Sequence, residues 1–386
     1  MPPALNSLWG RVLTDGHDLG PCRVELAHGQ IVAVAPAGRP NGESLVVQEG
    51  WIAAGLIDLQ VNGAGGVDLT SAADPPAALA KVARTLAQHG VTSFCPTIVS
   101  SRRELIVSLL APYRRGPVAT GAESLGTHVE GPFLNPEFRG VHDPTVLRDA
   151  SPDEIDAWLD AGPPAIVSLA PERDGGLAAI RHLSRAGILV SLGHSGADAP
   201  TAQEGLANGA RMGTHLFNGM PPLHHRRPAL VGALLASTAF LELITDGVHV
   251  DPLIVDLVVR RAGSERVILV SDALAPAGCS PGWSVLGDQA VEFDGRSVRR
   301  ADGTLAGSAL LLDGCLANLR RWLTDLPPAA LVRMANQTPA DALGISRKGR
   351  LAVGCDADMV VLDDDLNVCV SIVRAQVVHD ARHEPG

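Results

Sequence analysis

Eight short apolar runs recur through the middle of the chain, separated by stretches of helical character, and this alternation constrains the fold more than any other feature. Candidate strands fall at Ile52–Leu59, Val91–Ile98, Leu125–Glu130, Ala165–Ala170, Ile188–Gly193, Arg211–Phe217, Leu241–Val248 and Val267–Ser271. Between them lie Ala/Leu/Arg-rich segments, among them Ala77–His89, Arg102–Tyr113, Pro152–Ala161, Leu177–Ala186 and Pro252–Arg261, which read as helices. Asp74-Pro75 and Asp251-Pro252 each put a cap residue before a first-turn proline. Ser151 followed by Glu154 has the spacing of a capping box. Eight strands alternating with helices predict an α/β fold, a parallel (β/α)8 barrel of the TIM type.

The two ends of the chain have a different character. Arg23–Leu26, Ile31–Val34 and Leu45–Val47 read as short strands, with His28-Gly29 as a hairpin turn between the first two. Met359–Leu362, Val368–Val373 and Gln376–His379 form a similar set, approached through Gly349 and Gly354. One small β unit built from both termini is expected, residues 1–50 and 345–386, flanking a barrel over 51–344. The segment Gly278–Arg300 breaks the barrel rhythm and reads as a loop or hairpin inserted after the eighth strand.

Composition narrows the possibilities. With 386 residues, 46% of them hydrophobic, the chain can bury a full core without disulfide or metal staples, and disorder is excluded as its general state. A net charge of −11 argues against a general nucleic-acid or anionic-membrane binder, so an anionic ligand needs a local basic pocket. Six scattered cysteines with no C-x-x-C fit a reduced, cytoplasmic protein. Neither a signal peptide in Met1 to Gly16 nor an apolar run of about 18 residues is visible. Lysine is scarce: Lys81 and Lys348 are the only two.

Barrel active sites sit at the C-terminal ends of the strands. Those ends read Asp58-Leu59-Gln60-Val61-Asn62, Cys95-Pro96-Thr97, His128-Val129-Glu130-Gly131-Pro132, Pro171-Glu172, Gly193-His194-Ser195, Thr214-His215-Leu216-Phe217-Asn218, Asp246-Gly247-Val248-His249 and Ser271-Asp272-Ala273. A single histidine at such a place is usually a hydrogen-bonded core or loop residue. Several of them converging on one mouth beside a carboxylate point instead to a metal. Two imidazoles and one carboxylate make a common catalytic zinc set with one position open to water. Glu130, His194 and His215 fit it, and Asp272 then stands as the free base. His128, two residues before Glu130 on the same strand, is expected one layer deeper and behind the ligands.

HVEGPFLN, FRGVHDP, SLGHS, THLFNGM, DGVHVD, SDALAPAG and LAGS occur in this order, followed by GRLAVGCDADMVVLDDD near the C-terminus. Together they closely resemble the N-acetylglucosamine-6-phosphate deacetylases of the amidohydrolase superfamily, from WIAAGLIDLQVNG onward. The resemblance implies a metal-dependent (β/α)8 barrel with a small β-sandwich domain formed by both termini. It implies Glu130, His194 and His215 as metal ligands and Asp272 as the catalytic acid–base. Many relatives bind a second metal through His-x-His after the first strand, where this chain has Gln60-Val61-Asn62. Amides are poor transition-metal ligands beside imidazole, and neither lysine lies at a strand end to form a bridging carbamate. One divalent ion per subunit is therefore expected. Zn2+ suits the ligands, with Fe2+, Co2+ or Mn2+ as alternatives for the same set.

The resemblance also implies the reaction: hydrolysis of the acetamide of N-acetyl-D-glucosamine 6-phosphate to acetate and D-glucosamine 6-phosphate. Asp272 takes the proton of the attacking water and returns it to the departing amine, while the ion with His142 or His249 steadies the oxyanion. Substrate contacts carry over onto Val141, His142, Asn218, Gly219, Arg226, His249, Leu305 and Ala306. The segment Pro221–Pro228 is locally basic, and an arginine fork suits phosphate oxygens. In the family the arginine at the Arg226 position reaches the phosphate across a dimer interface, which implies a homodimer. This chain departs from the usual Arg-Glu-Pro-Gly with Arg226-Arg227-Pro228-Ala229. Other readings are deacetylation of N-acetylgalactosamine 6-phosphate, hydrolysis of an N-acyl amino acid or cyclic amide, and a non-catalytic sugar-phosphate-binding barrel.

Overall fold

The computed structural model describes residues 5–36, 44–116, 121–287 and 289–383. Parts of the expected terminal unit (1–4, 37–43 and 384–386), residues 117–120 and residue 288 of the expected insertion lie outside the described residues.

Eight parallel strands build the barrel: Leu56–Val61, Val91–Val99, His128–Glu130, Ile166–Leu169, Leu189–Leu192, Met212–Gly213, Phe240–Leu243 and Val267–Leu269. The ring closes where Val61 bridges Ala273 and the Asn62 amide donates to the Ala273 carbonyl at 2.9 Å. The third strand is shorter than expected. Its predicted first half, with Gly126 at a φ of 102°, leaves the ladder, while Glu123–Ser124 pairs separately with the second strand.

The outer helices lie where the sequence puts them, at Pro75–Gln88, Arg103–Leu110, Pro152–Ala161, Gly176–Arg185 and Pro252–Ala262. Asp74 accepts from the Ala77 amide at 3.1 Å and Asp251 from the Leu253 amide at 2.8 Å, so both caps form. The capping box does not. The Ser151 hydroxyl makes no cap bond, and the Glu154 carboxylate instead takes Arg148 Nε and Nη2 at 2.9 and 2.6 Å. A two-point guanidinium pair is stronger than a single amide bond to the cap.

Ile57, Leu59, Cys95, Ile166, Leu189, Met212, Ile268 and Val270 fill the lower barrel. Above them lies a polar layer. His128 Nδ1 meets the Leu59 carbonyl at 3.0 Å, which can only accept, so the ring proton sits there. Nε2 then accepts from the Ser168 hydroxyl at 2.7 Å, Ser168 from Thr214 at 2.6 Å, and Thr214 from Ser191 at 2.6 Å. The expected depth of His128 is thus met, and the directed chain gives the next layer up a rigid floor.

Both termini enter one eight-stranded sheet. Its order is Gln376–Asp380, Val368–Val373, Met359–Leu362, Trp51–Ala54, Ser7–Thr14, His17–Ala27 and Gln30–Pro36, with Leu45–Val46 beside Ser7–Thr14. A single apolar cluster draws on both halves, from Leu8, Val24 and Ile31 to Met359, Val370 and Ile372. His28 and Gly29, with φ of 53° and 75°, make the tight hairpin turn that the sequence suggests.

Two details differ from expectation. Ser7–Thr14, a central strand, has Gly10 and Arg11 in its middle and so shows no apolar run. Ile52–Leu59, read as one strand, breaks at Gly55: Trp51–Ala54 pairs within the terminal sheet and Leu56–Val61 within the barrel. A Cβ at residue 55 would stand 2.2 Å from the Thr92 side chain, so only glycine allows this crossing. The expected limit between 50 and 51 therefore shifts: we propose that the terminal unit runs through Ala54 and resumes at 345, with the barrel between Gly55 and residue 344.

The expected loop or hairpin at Gly278–Arg300 is a hairpin extended into a four-stranded antiparallel sheet, Gly282–Leu286, Gln289–Phe293, Val298–Arg299 and Leu305–Gly307. Leu286, Val291, Val298 and Ala306 pack with Val99, which ends the second barrel strand, and Val141, on the loop after the third. This sheet therefore roofs one side of the barrel mouth. Among the described residues, no helix is long and apolar enough to cross a membrane.

Candidate active site

The chain leaves several barrel strands abruptly. His194, His215 and Asp272 have φ of 46°, 28° and 49°, a region that side-chain-bearing residues seldom occupy. These sharp exits accompany the convergence of their side chains at the mouth. Glu130 Oε1 lies 3.0 Å from His215 Nε2 and 3.3 Å from His194 Nε2, and the two Nε2 atoms are 3.1 Å apart. All three side chains are buried.

The partners of these groups set their proton positions. His194 Nδ1 faces the Phe138 carbonyl at 2.8 Å and must donate to it, which leaves an Nε2 lone pair for the cavity in the neutral ring. Gly219 is needed beside it, because a Cβ there would be 2.7 Å from His194 Nδ1. Gln60 Nε2 donates to Glu130 Oε1 at 2.8 Å and Asn62 Nδ2 to Asp272 Oδ1 at 2.7 Å. The two amides that replace a His-x-His pair thus act as donors to the carboxylates. That role is invisible in the sequence, where Gln60 and Glu130 are 70 residues apart and Asn62 and Asp272 are 210 apart.

Burial pushes the Glu130 carboxyl up, but the neighbouring His194, His215 and His142 rings more than offset it and hold the group well below its usual range. Asp272 moves the other way. Burial, with the nearby Glu130 charge, raises it to about 8. Burial together with the His194 charge depresses His142 to about 3. Glu242, wholly buried on the seventh strand, is raised well above the usual range by burial and by Glu130.

The set fits a divalent ion. Two imidazole nitrogens and a carboxylate oxygen bound at about 2.0–2.2 Å in a tetrahedron stand about 3.3–3.5 Å apart, close to the separations seen. The tautomer of His194 also leaves the correct nitrogen facing inward, fixed by a second partner on the other nitrogen.

One cavity of about 220 Å³ opens on these groups. Of the residues expected there, Glu130, His194, His215, Asp272, Val141, His142, Asn218, Gly219, His249, Leu305 and Ala306 all line it. Leu286 from the insertion, and Thr304 and Gly307 on either side of the marked Leu305 and Ala306, also line it and were not marked in the sequence. His142 Nδ1 receives the Ser100 amide at 3.3 Å, so its proton lies on Nε2, 3.9 Å from Glu130 Oε2. His249 is arranged oppositely: its Nδ1 meets Asp246 Oδ2 at 2.7 Å. Asp246 is raised by burial, but the His249 bond brings it below its ordinary value. Arg226 does not line this cavity. It is exposed, its guanidinium 2.8 Å from His225 Nε2.

Imidazole and carboxylate donors at a barrel's C-terminal mouth, with a free aspartate beside them, define a class of metal-dependent barrel hydrolases. The chain belongs to the amidohydrolase family, which it matches over residues 51–382. It is 40% identical to the N-acetylglucosamine-6-phosphate deacetylase of Danio rerio over 343 residues, 85% of this chain and 84% of the relative. It is 36% identical to the N-acetylgalactosamine-6-phosphate deacetylase of Escherichia coli O157:H7 over 376 residues, 95% and 97% of the two chains. Among solved structures it is similar to a variant of the Mycobacterium smegmatis N-acetyl-D-glucosamine-6-phosphate deacetylase in complex with N-acetyl-D-glucosamine-6-phosphate. There the TM-score is 0.90 at 31% identity, covering 98% of this chain and 100% of that one.

Proposed function

We propose that this protein is an enzyme that hydrolyses the acetamide of N-acetyl-D-glucosamine 6-phosphate, releasing acetate and D-glucosamine 6-phosphate. The convergence of Glu130, His194 and His215 with Asp272 in one buried cavity carries the reading, and relatives at up to 40% identity with this activity in their names support the substrate. Glu130, His194 and His215 hold one divalent ion, Zn2+ being the best match to the donors. Such an ion supplies Lewis acidity, making a water more acidic and an amide carbonyl more electrophilic.

Asp272 is the general base and then the general acid. One of its oxygens is tied to Asn62, which leaves the other for the proton. It takes that proton as the water oxygen bonds to the acetyl carbon, and passes it to nitrogen as the C–N bond breaks. His142, with its proton on Nε2, is the residue placed to donate to the carbonyl oxygen as negative charge builds there. His249 in the same tautomer-by-partner reasoning donates to Asp246, so of the two histidines weighed for the oxyanion, His142 is preferred. Asn218, Gly219, His249, Val141, Leu305 and Ala306 bind the sugar phosphate.

Arg226 completes the phosphate site of a neighbouring subunit in a homodimer; its exposure and its absence from its own cavity support this arrangement. The protein acts in the cytoplasm, as its unpaired cysteines suggest. N-Acetylgalactosamine 6-phosphate is the second reading, favoured by the relative of that activity that spans 95% of the chain.

Acetate release from both phosphosugars and from a panel of N-acyl amino acids, with metal analysis of the same sample, tests these assignments together. Turnover of the glucosamine derivative above the others is the expected result. Release of acetate from neither phosphosugar would overturn the function.

A further inference from the structure

Glu172 stands at the end of the fourth barrel strand, lines no part of the cavity, and has no place in the chemistry above. Its carboxylate nevertheless collects three donors from two different loops. Oε1 accepts Asn135 Nδ2 at 2.9 Å and the Gly196 amide at 2.6 Å, and Oε2 accepts the Ser195 hydroxyl at 2.7 Å. Ser195 and Gly196 directly follow His194. Asn135 opens the short turn Pro136–Phe138, and the Phe138 carbonyl is the group that fixes the proton of His194. The same two loops meet again where the Asn135 amide donates to the His194 carbonyl at 2.9 Å. The packing leaves no slack: a Cβ on residue 196 would stand 2.6 Å from the Phe138 ring and 3.1 Å from Asn135 Nδ2.

We infer that Glu172 is a positioning residue for the metal: it sets the backbone and the tautomer of His194 by tying the loop after the fifth strand to the loop after the third. The physical case is that His194 occupies a left-handed conformation, with φ of 46°, that it would not adopt alone. A carboxylate that accepts from the next two residues pins that turn from one side, and the Phe138 carbonyl pins the ring from the other. Because Val141 and His142 lie on the same loop as Asn135 and Phe138, Glu172 also couples the metal ligand to the substrate side of the cavity. This rests on the assignment of Glu130, His194 and His215 as the metal set.

The test is the zinc dissociation constant of the full-length protein, measured by competition with a chromogenic chelator. Zinc binding by the wild type and its loss in His194→Ala establish the metal set itself. If the wild type binds no zinc, that assignment fails, and this inference fails with it. Given wild-type binding, Glu172→Ala is expected to weaken zinc about 10–100-fold, the usual effect of removing a residue that orients a ligand. Glu172→Gln keeps an acceptor for Asn135 and Gly196 and is expected to recover part of the affinity. Glu123→Gln, a buried carboxylate paired with Lys348 away from the cavity, controls for loss of stability and should leave the constant unchanged. Should Glu172→Ala not fold, Ser195→Ala removes one of the three donors to Glu172, together with the acceptor of the Ala197 amide, and a several-fold weakening is the supporting result. Wild-type affinity in the Glu172 variants, or an equal shift in Glu123→Gln, would overturn the role.

Discussion

Among the described residues, two buried clusters each bring ligand atoms of three metal-capable side chains within 4.8 Å of one another, and they differ in how their charge is balanced. Glu130, His194 and His215 lie at the barrel mouth. Glu123, Asp356 and Asp358 lie where the barrel meets the segment leading into the terminal sheet. In the second, Lys348 Nζ sits among the three carboxylates at 2.9, 3.0 and 2.5 Å, with its side chain 1% exposed. Arg347 adds contacts to Glu123 and Asp356. That cluster already holds its cation, an ammonium built into the chain. The first presents acceptors and the Gln60 amide donor to a cavity, and no lysine or arginine among the described residues pairs with it. Proximity of ligand atoms does not distinguish the two; the charge left unbalanced does. A buried charge must be paired. At the terminal junction the chain supplies the counter-charge itself, and at the mouth, in the function proposed here, a bound ion would supply it.

The comparison can be broken from either side. His215→Ala should have the largest effect, dropping bound metal from about one equivalent to near zero and abolishing turnover, read by metal analysis of the purified protein. Full metal content in that variant would dissolve the distinction between the clusters. Asp272→Ala should lower kcat by about 10²–10⁴-fold while metal content stays near wild type, because it removes the proton carrier and leaves the ligands in place. Lys348→Met should cost about 3–5 kcal/mol of stability in urea unfolding, since three carboxylates lose their cation, with no change in metal bound per folded chain.

The smallest effect is in pH dependence. Burial pushes Glu123 up, but Lys348 and Arg347 more than offset this, so its folded pKa lies below its unfolded value. The stabilisation is present above the ordinary carboxylate range and lost as the pH falls through the depressed pKa. The gap in melting temperature between wild type and Glu123→Gln should therefore narrow between about pH 7 and about pH 3. A gap of constant width would mean that the cluster stabilises by packing and not by charge.

Much of this was legible in the sequence. The helix starts at Asp74 and Asp251 follow from local chemistry, and both caps form. The strand ends that carry Glu130, His194, His215 and Asp272 could be picked out because a barrel sends each strand's C-terminus to one mouth. Local patterns failed where long-range partners decide. Ser151 and Glu154 have capping-box spacing, but Arg148 claims the glutamate. Ser7–Thr14 holds the centre of a sheet without an apolar run, because its Gly10 makes room for Val47 and Ile52, which a Cβ there would meet at 2.8 and 3.1 Å. Glu172 was visible at a strand end, yet nothing in its neighbourhood shows that it grips residues 135, 195 and 196.

The sequence alone determined the periodicity, and with it the barrel and the set of side chains delivered to its mouth. Strand alternation and cap chemistry act over a few residues and need no partner to be read. The tertiary structure decided which of those side chains meet, which nitrogen of each histidine faces the cavity, and why Gln60 and Asn62 serve the carboxylates. It also decided that the scarce Lys348 closes one acidic cluster. These are contacts between groups as far apart in the chain as Asn62 and Asp272, and only the closed barrel brings such groups within hydrogen-bond reach.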